Sequence, residues 1–209
     1  MEIANPKIED YILTHIANRE TIFKEMESYA TKVDFPIVGP MVGQILMQLT
    51  KMLKAKRILE LGSGFGYSAI WFDKGMEEGG EIICTDFSKE NELLATKNFE
   101  LANMRSTIQF HVEDALEILS KLEGDFDIIF NDVDKEEYPE TYEASIPRLK
   151  KGGILVTDNT LWYGKVVDSN SLDGATTGVI EYNRKAFSDK RVISVLLPVR
   201  DGLTISLKI

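Results

Sequence analysis

Four residues could act together in chemistry: Asp132, Lys135, Asp158 and Asn159. Each lies just past an apolar, strand-like run. "FDIIFNDVDK" supplies Asp132 and, three residues on, Lys135; "GGILVTDN" supplies the pair Asp158-Asn159. The three residues other than the lysine offer oxygen, Asn159 through its carbonyl. Hard oxygen sets suit magnesium, manganese or calcium rather than zinc. Three protein ligands leave about three of six octahedral positions for water or substrate. Repulsion from such a cation favours the neutral, basic form of a neighbouring lysine, although Asp134 and Glu136 flank Lys135 and act the other way. The plainer alternative is a turn at Asp158-Asn159 and a helix cap at Asp132. Joint placement at two strand ends favours chemistry, and the set points to metal-assisted group transfer.

A second cluster could hold a cofactor. In "RILELGSGFGYSA" (57–69), Gly62, Gly64 and Gly66 follow an apolar strand and precede a helix. Glycine lets the backbone turn sharply and approach a ligand closely. Glu60 ends that strand, where a carboxylate facing the crevice is costly unless used. Asp86 ends the next strand, about the distance at which an acidic residue meets a ribose hydroxyl. A dinucleotide fingerprint requires a third glycine where Tyr67 stands. The turn continues instead into Ser68, which suits a small polar group. No diphosphate cradle is evident, which favours an adenosyl ligand without phosphates over a nicotinamide dinucleotide.

These residues need elements to position them. Apolar residues spaced by three and four (Ile8, Tyr11, Ile12, Ile16, then Ile22, Phe23, Met26, Val33) predict two amphipathic helices within residues 6–33. "FPIVGP" (35–40) breaks that pattern, and 42–53 resumes it. Short apolar runs follow at 57–61, 81–85, 107–112, 126–131 and 153–157, alternating with helical stretches at 68–78, 88–102, 114–121 and 139–150. That alternation predicts a parallel sheet with helices on both faces. "RVISVLLPV" and "LTISLKI" flank Arg200-Asp201-Gly202, a strong hairpin signal. The expected fold is therefore α/β: a Rossmann-like, mostly parallel, seven-stranded sheet with an antiparallel C-terminal hairpin and extra N-terminal helices. In such a sheet the loops at the carboxyl ends of the strands converge on one crevice.

The bulk numbers agree with one soluble domain over 1–209, with a helical lid region at 1–53 and an α/β core at 54–209. The chain is 44% hydrophobic and 28% charged, and no apolar run nears the roughly 20 residues of a membrane span. The start lacks the features of a signal peptide, so a cytoplasmic location and no membrane partner are expected. The single cysteine, Cys84, excludes an intramolecular disulfide framework and reads as core. His15 and His111 lack ligand-like spacing. The formal net charge of −10, with "MLKAKR" (52–57) as the densest basic stretch, weighs against a polyanionic partner.

With these residues in view, the chain resembles the class I S-adenosylmethionine-dependent methyltransferases. Within them it is similar to the cation-dependent O-methyltransferase group that includes catechol and caffeoyl-CoA O-methyltransferases. "LELGSGFGYSA", Asp86 after "EIICT", "NDVDKEEY", "VTDNTLWYGKV" and the final "DGL" carry the resemblance, which runs from about residue 36 to the end. It implies that S-adenosylmethionine lies across the glycine turn. Gly62 and Gly64 would approach it closely, with Glu60 and Asp132 beside it, Ser68 at its carboxylate and Asp86 at its ribose. Glu113, Asp114 and Ala115 would line its adenine, and Val38 would close over its methionine end. Asp132, Asp158 and Asn159 would hold the metal, normally magnesium, making Asp132 part of the catalytic centre. Lys135 would be the catalytic base. Relatives of this kind use N-terminal helices in a homodimer.

One departure bears on the acceptor. Catechol-type relatives carry an acidic residue shortly before the closing "DG", where this chain has the apolar Val195-Leu196-Leu197-Pro198. "YGKVVDSNSLDGATTG" (163–178) is expected to be a substrate loop. The leading expectation is methyl transfer to a small vicinal dihydroxy aromatic. The alternative is the same chemistry on a tRNA 5-hydroxyuridine, as in bacterial relatives with a "PIVGP"-like segment. A non-catalytic binding module would instead leave function intact after Asp132→Ala.

Overall fold

The structure, a computed structural model, describes residues 3–16, 19–168 and 173–209. Part of the expected substrate loop, residues 169–172, lies outside the described residues. Seven strands form one sheet: β1 (Arg57–Leu61), β2 (Glu81–Asp86), β3 (Thr107–Val112), β4 (Phe126–Asn131), β5 (Leu149–Thr157), β6 (Val192–Leu197) and β7 (Leu203–Lys208). Their spatial order is β3-β2-β1-β4-β5-β7-β6. All neighbours pair in parallel except β7, which runs antiparallel to both β5 and β6. The order reverses between β1 and β4, and a crevice opens there at the carboxyl ends of the strands.

The central strands read as apolar runs because both faces of the sheet are covered. In β1, Ile58 packs into one core while Leu59 and Leu61 pack into the other. The first core lies under α2 (Thr21–Val33), α3 (Gly39–Leu53), α4 (Tyr67–Gly75) and α5 (Lys89–Leu101). The second lies under α6 (Ala115–Lys121), α7 (Tyr138–Arg148) and α8 (Gly174–Ser188). The remaining helix, α1 (Pro6–His15), buries none of its residues, and Ile8, Tyr11 and Ile12 are exposed. Its amphipathic stripe is real but uncovered.

Three boundaries differ from the sequence expectation. Helix α3 starts at Gly39, inside the segment expected to break the pattern, because Pro40 sits in its first turn, where no amide hydrogen is needed. Strand β5 begins at Leu149, within the stretch expected to be helical; Leu149 pairs with Phe126, and an irregularity precedes the regular register from Ile128. Helix α8 occupies residues that the expected substrate loop includes or that carry no expected element. Its opening Gly-Ala-Thr-Thr-Gly is poor in helix formers, and the Asp173 side chain caps it by accepting from the Thr176 amide. Cys84 is buried.

Candidate active site

The crevice is a cavity of about 780 Å³. Its floor is set by the contact between the loops that follow β1 and β4. The Asp132 amide donates to the Leu61 carbonyl at 2.9 Å. Gly62 has φ +84°, and a Cβ there would lie 2.5 Å from the Asp132 carbonyl oxygen. Only glycine permits both that conformation and that approach.

Of the residues expected to touch a cofactor, Val38, Gly62, Gly64, Ser68, Asp86, Glu113, Ala115 and Asp132 line this cavity. Asp86 is tightly fixed: its carboxylate accepts from the Gly64 amide at 2.9 Å, the Ser88 amide at 2.8 Å and the Asn91 side chain at 3.0 Å. It therefore ties the β2 loop to the glycine turn. Two expected residues do not line the cavity. Asp114 is the cap of α6, accepting from the Glu117 amide at 2.8 Å. Glu60 is fully buried within β1, and neither carboxylate oxygen has a hydrogen-bond partner at ordinary geometry. Burial pushes its carboxyl up to about 7, and the nearby Ser68, Ser63 and Cys84 side chains oppose the shift only in part. It lies behind the lining, and two of those three neighbours, Ser63 and Ser68, line the cavity themselves.

The chemistry-bearing set converges at the other end. Asp132, Lys135, Asp158 and Asn159 all line the cavity. Lys135 opens a single 3-10 turn, Lys135–Glu137. Its Nζ donates to Asp132 Oδ1 at 2.9 Å and to the Val133 carbonyl at 3.1 Å. The ammonium also lies 5.2 Å from the Tyr138 ring centroid and 5.7 Å from that of Trp162, within cation–π range. Asp158 is 2% exposed, and its Oδ1 is buried without a hydrogen-bond partner. The Tyr138 hydroxyl donates to the Asp158 carbonyl at 2.9 Å and fixes the backbone there. Asn159 takes the left-handed conformation, φ 55°, in the turn after β5.

The electrostatics describe a site short of positive charge. Burial raises the Asp132 carboxyl above its usual range, against the Lys135 and Arg200 charges. Burial and then repulsion from Asp132 raise that of Asp158. A divalent cation would relieve both effects, and an orphaned buried carboxylate oxygen is the kind of donor it takes. The donor set fits a hard cation. Among the described residues no group of three or more His, Cys, Asp or Glu is placed to bind one, so a third donor beside Asp132 and Asp158 would have to be of another kind, such as the Asn159 amide oxygen.

Sequence reasoning missed several neighbours. Trp162, Tyr163, Phe35, Arg200 and Asp201 also line the cavity. Asp201 accepts from the Tyr163 amide through Oδ1, and its other oxygen is buried and unpartnered. The signal for Asp201 lies in the closing Asp-Gly, which the sequence shows as a hairpin turn and as part of the family resemblance without giving Asp201 a role in the site. Arg200 had no local signal, because its partner, the Ile37 carbonyl, is 163 positions away.

Comparisons with known proteins agree with this architecture. The family model described as O-methyltransferase matches residues 14–209. A catechol O-methyltransferase of Niastella koreensis is 33% identical over 164 residues, covering 77% of this chain and 74% of that protein. Caffeoyl-CoA O-methyltransferase 1 of Eucalyptus globulus is 33% identical over 178 residues, covering 80% and 72%. The solved structure of an O-methyltransferase from Bacillus cereus in complex with SAH superposes with a TM-score of 0.85 at 25% identity, covering 97% of each chain. With the fold matched throughout and the family model spanning nearly the whole sequence, the chain belongs to the O-methyltransferase family.

Proposed function

We propose that this O-methyltransferase uses S-adenosylmethionine and a divalent cation, normally magnesium, to methylate one hydroxyl of a small vicinal dihydroxy aromatic. The observation that carries the reading is the junction of Lys135 Nζ on Asp132 Oδ1, at 2.9 Å, with the unpartnered Asp158 Oδ1 in the same cavity. The catechol and caffeoyl-CoA relatives support the acceptor class, and the SAH-bound neighbour supports the cofactor.

When bound, the cofactor supplies an electrophilic methyl on a positively charged sulfur. A cation held by Asp132, Asp158 and Asn159 supplies Lewis acidity toward the acceptor hydroxyl. The remaining steps belong to the chain. The turn at Gly62 and Gly64 leaves backbone open to close approach, Ser68 offers its hydroxyl, and Asp86 presents a carboxylate held by three donors. Val38 closes the cavity above. Trp162 and Tyr163 give aromatic surface to a planar acceptor. Lys135 takes the proton of the attacking hydroxyl at Nζ. Methyl transfer from a sulfonium expels a neutral leaving group, so the rate rests on excluding water and aligning the reacting atoms. The whole chain is proposed to act as one domain and to associate as a homodimer. A monomer in sedimentation at micromolar concentration would remove the dimer.

The alternative acceptor is a tRNA 5-hydroxyuridine. The apolar 195–198 stretch favours it, since no acidic clamp for a second hydroxyl stands there. Against it, Glu9, Glu113, Asp134 and Glu137 border the cavity with negative charge, which repels a polyanion. Methyl transfer from labelled S-adenosylmethionine, with magnesium, on a caffeate-type catechol and on unmodified-strain bulk tRNA, with and without EDTA, separates the readings. Label in the catechol, lost with EDTA, is expected. Label in tRNA alone would overturn the small acceptor, and EDTA-resistant label would overturn the metal.

A further inference from the structure

The cavity is strongly acidic, and among its described lining residues only Lys135 and Arg200 carry positive charge. Lys135 is already committed to Asp132. Arg200 is different. It sits in the turn between β6 and β7, half-buried, with Nη1 donating to the Ile37 carbonyl at 2.8 Å. Among the described residues it makes no ion pair within 4.0 Å. Its charge nevertheless reaches Asp132, Asp158 and Asp201, so the guanidinium belongs to the acceptor end of the cavity. Nε and Nη2 have no protein acceptor at hydrogen-bond distance among the described residues.

A guanidinium that keeps donors unspent beside an apolar and aromatic wall is a reader of planar anions. Val38 and Trp162 line the same cavity as Arg200. The stretch just before the turn, residues 195–198, is apolar, so the charges that this hairpin brings to the cavity are those of Arg200 and Asp201, and of the two only Arg200 can attract an anion. We propose that Arg200 is a specificity-determining residue that selects dihydroxy aromatic acceptors bearing a carboxylate, through charge-assisted hydrogen bonds from the nitrogens not engaged with Ile37. This deepens the function proposed above and rests on it.

The test compares 3,4-dihydroxybenzoate and caffeate, each against its own methyl ester, with saturating S-adenosylmethionine and magnesium. The wild-type enzyme should prefer at least one acid over its ester by roughly 10- to 100-fold in kcat/KM, the range expected for a charge-assisted hydrogen bond. Arg200→Gln should raise KM for the acid far more than for its ester, so that the ratio of the two kcat/KM values falls to about one. Arg200→Lys should restore part of the preference, since the charge remains but the fork is lost. A purely structural Arg200 would lower acid and ester turnover together. Acid and ester used equally by the wild type, or a preference that survives Arg200→Gln, would overturn the inference while leaving the methyltransferase reading intact. No methylation of any of the four compounds would overturn both.

Discussion

Lys135 and Glu60 are both ionisable and both lie near the loops after β1 and β4, yet their environments differ sharply. Lys135 Nζ reaches the cavity and is held by a carboxylate, a carbonyl and two aromatic rings. Lys135→Met removes the proposed base, so kcat should fall roughly 10²- to 10⁴-fold. Calorimetric titration should show S-adenosylmethionine still binding; a variant with near-normal kcat would remove Lys135 from the mechanism. Glu60 is fully buried, and neither of its carboxylate oxygens has a hydrogen-bond partner. Its folded carboxyl is raised to about 7 from an ordinary 4.5. The folded state therefore holds the proton more tightly than the unfolded one. This favours folding fully below pH 4.5, and the advantage is lost as pH rises to about 7. Above that, an ionised Glu60 costs roughly 3 kcal/mol relative to its protonated form. Glu60→Gln should raise Tm at pH 8 and change it far less at pH 5. Equal shifts at both pH values would contradict the buried-charge account.

At the scale of elements, the sequence was most legible where one local pattern decides the outcome. Buried strands produce apolar runs, and candidate residues hanging just past them were placed correctly at the crevice: Asp132, Asp158 and Asn159 follow β4 and β5 directly. Legibility failed where long-range packing decides. The start of β5 is polar and is recruited by pairing with β4. Helix α8 has weak intrinsic propensity and exists because its apolar face covers the second core with Val179, Tyr182 and Ala186. It also supports the turn that carries Lys135, the proposed base. A Cβ on Gly178 would lie 2.2 Å from the Lys135 carbonyl oxygen, so the glycine lets α8 press against the turn that carries Lys135. Gly178→Ala should cost about 1–3 kcal/mol, as overpacking does. It should also lower kcat by moving Lys135, while Gly152→Ala on the opposite end of β5, where φ is +82° but a Cβ meets nothing within 4 Å, should cost stability through backbone strain yet leave kcat unchanged. Thermal melts paired with initial rates check this, and an unchanged kcat in Gly178→Ala would show that α8 does not position the base.

At the scale of the whole molecule, charge acts at two ranges that oppose each other. The chain carries a formal net charge of −10, and the cavity is bordered by Glu9, Glu113, Asp134 and Glu137. An anionic acceptor therefore meets a repulsive field before it meets Arg200. The field acts over the Debye length, about 30 Å at 0.01 M salt and about 10 Å at 0.1 M. The Arg200 contact acts inside the cavity, where screening is weaker. Raising salt from 0.01 M to 0.15 M should therefore increase kcat/KM for caffeate, by roughly threefold, through easier encounter. Methyl caffeate, uncharged, should show no change over the same range, which isolates the field from any effect of salt on the chemistry. A tRNA acceptor would respond in the reverse sense, because its binding depends on phosphate contacts that salt weakens steeply. The sign of the salt dependence thus separates the two acceptor classes without identifying the natural substrate. A caffeate rate that falls with salt would mean that a local basic rim, rather than the net acidic field, governs approach to this cavity.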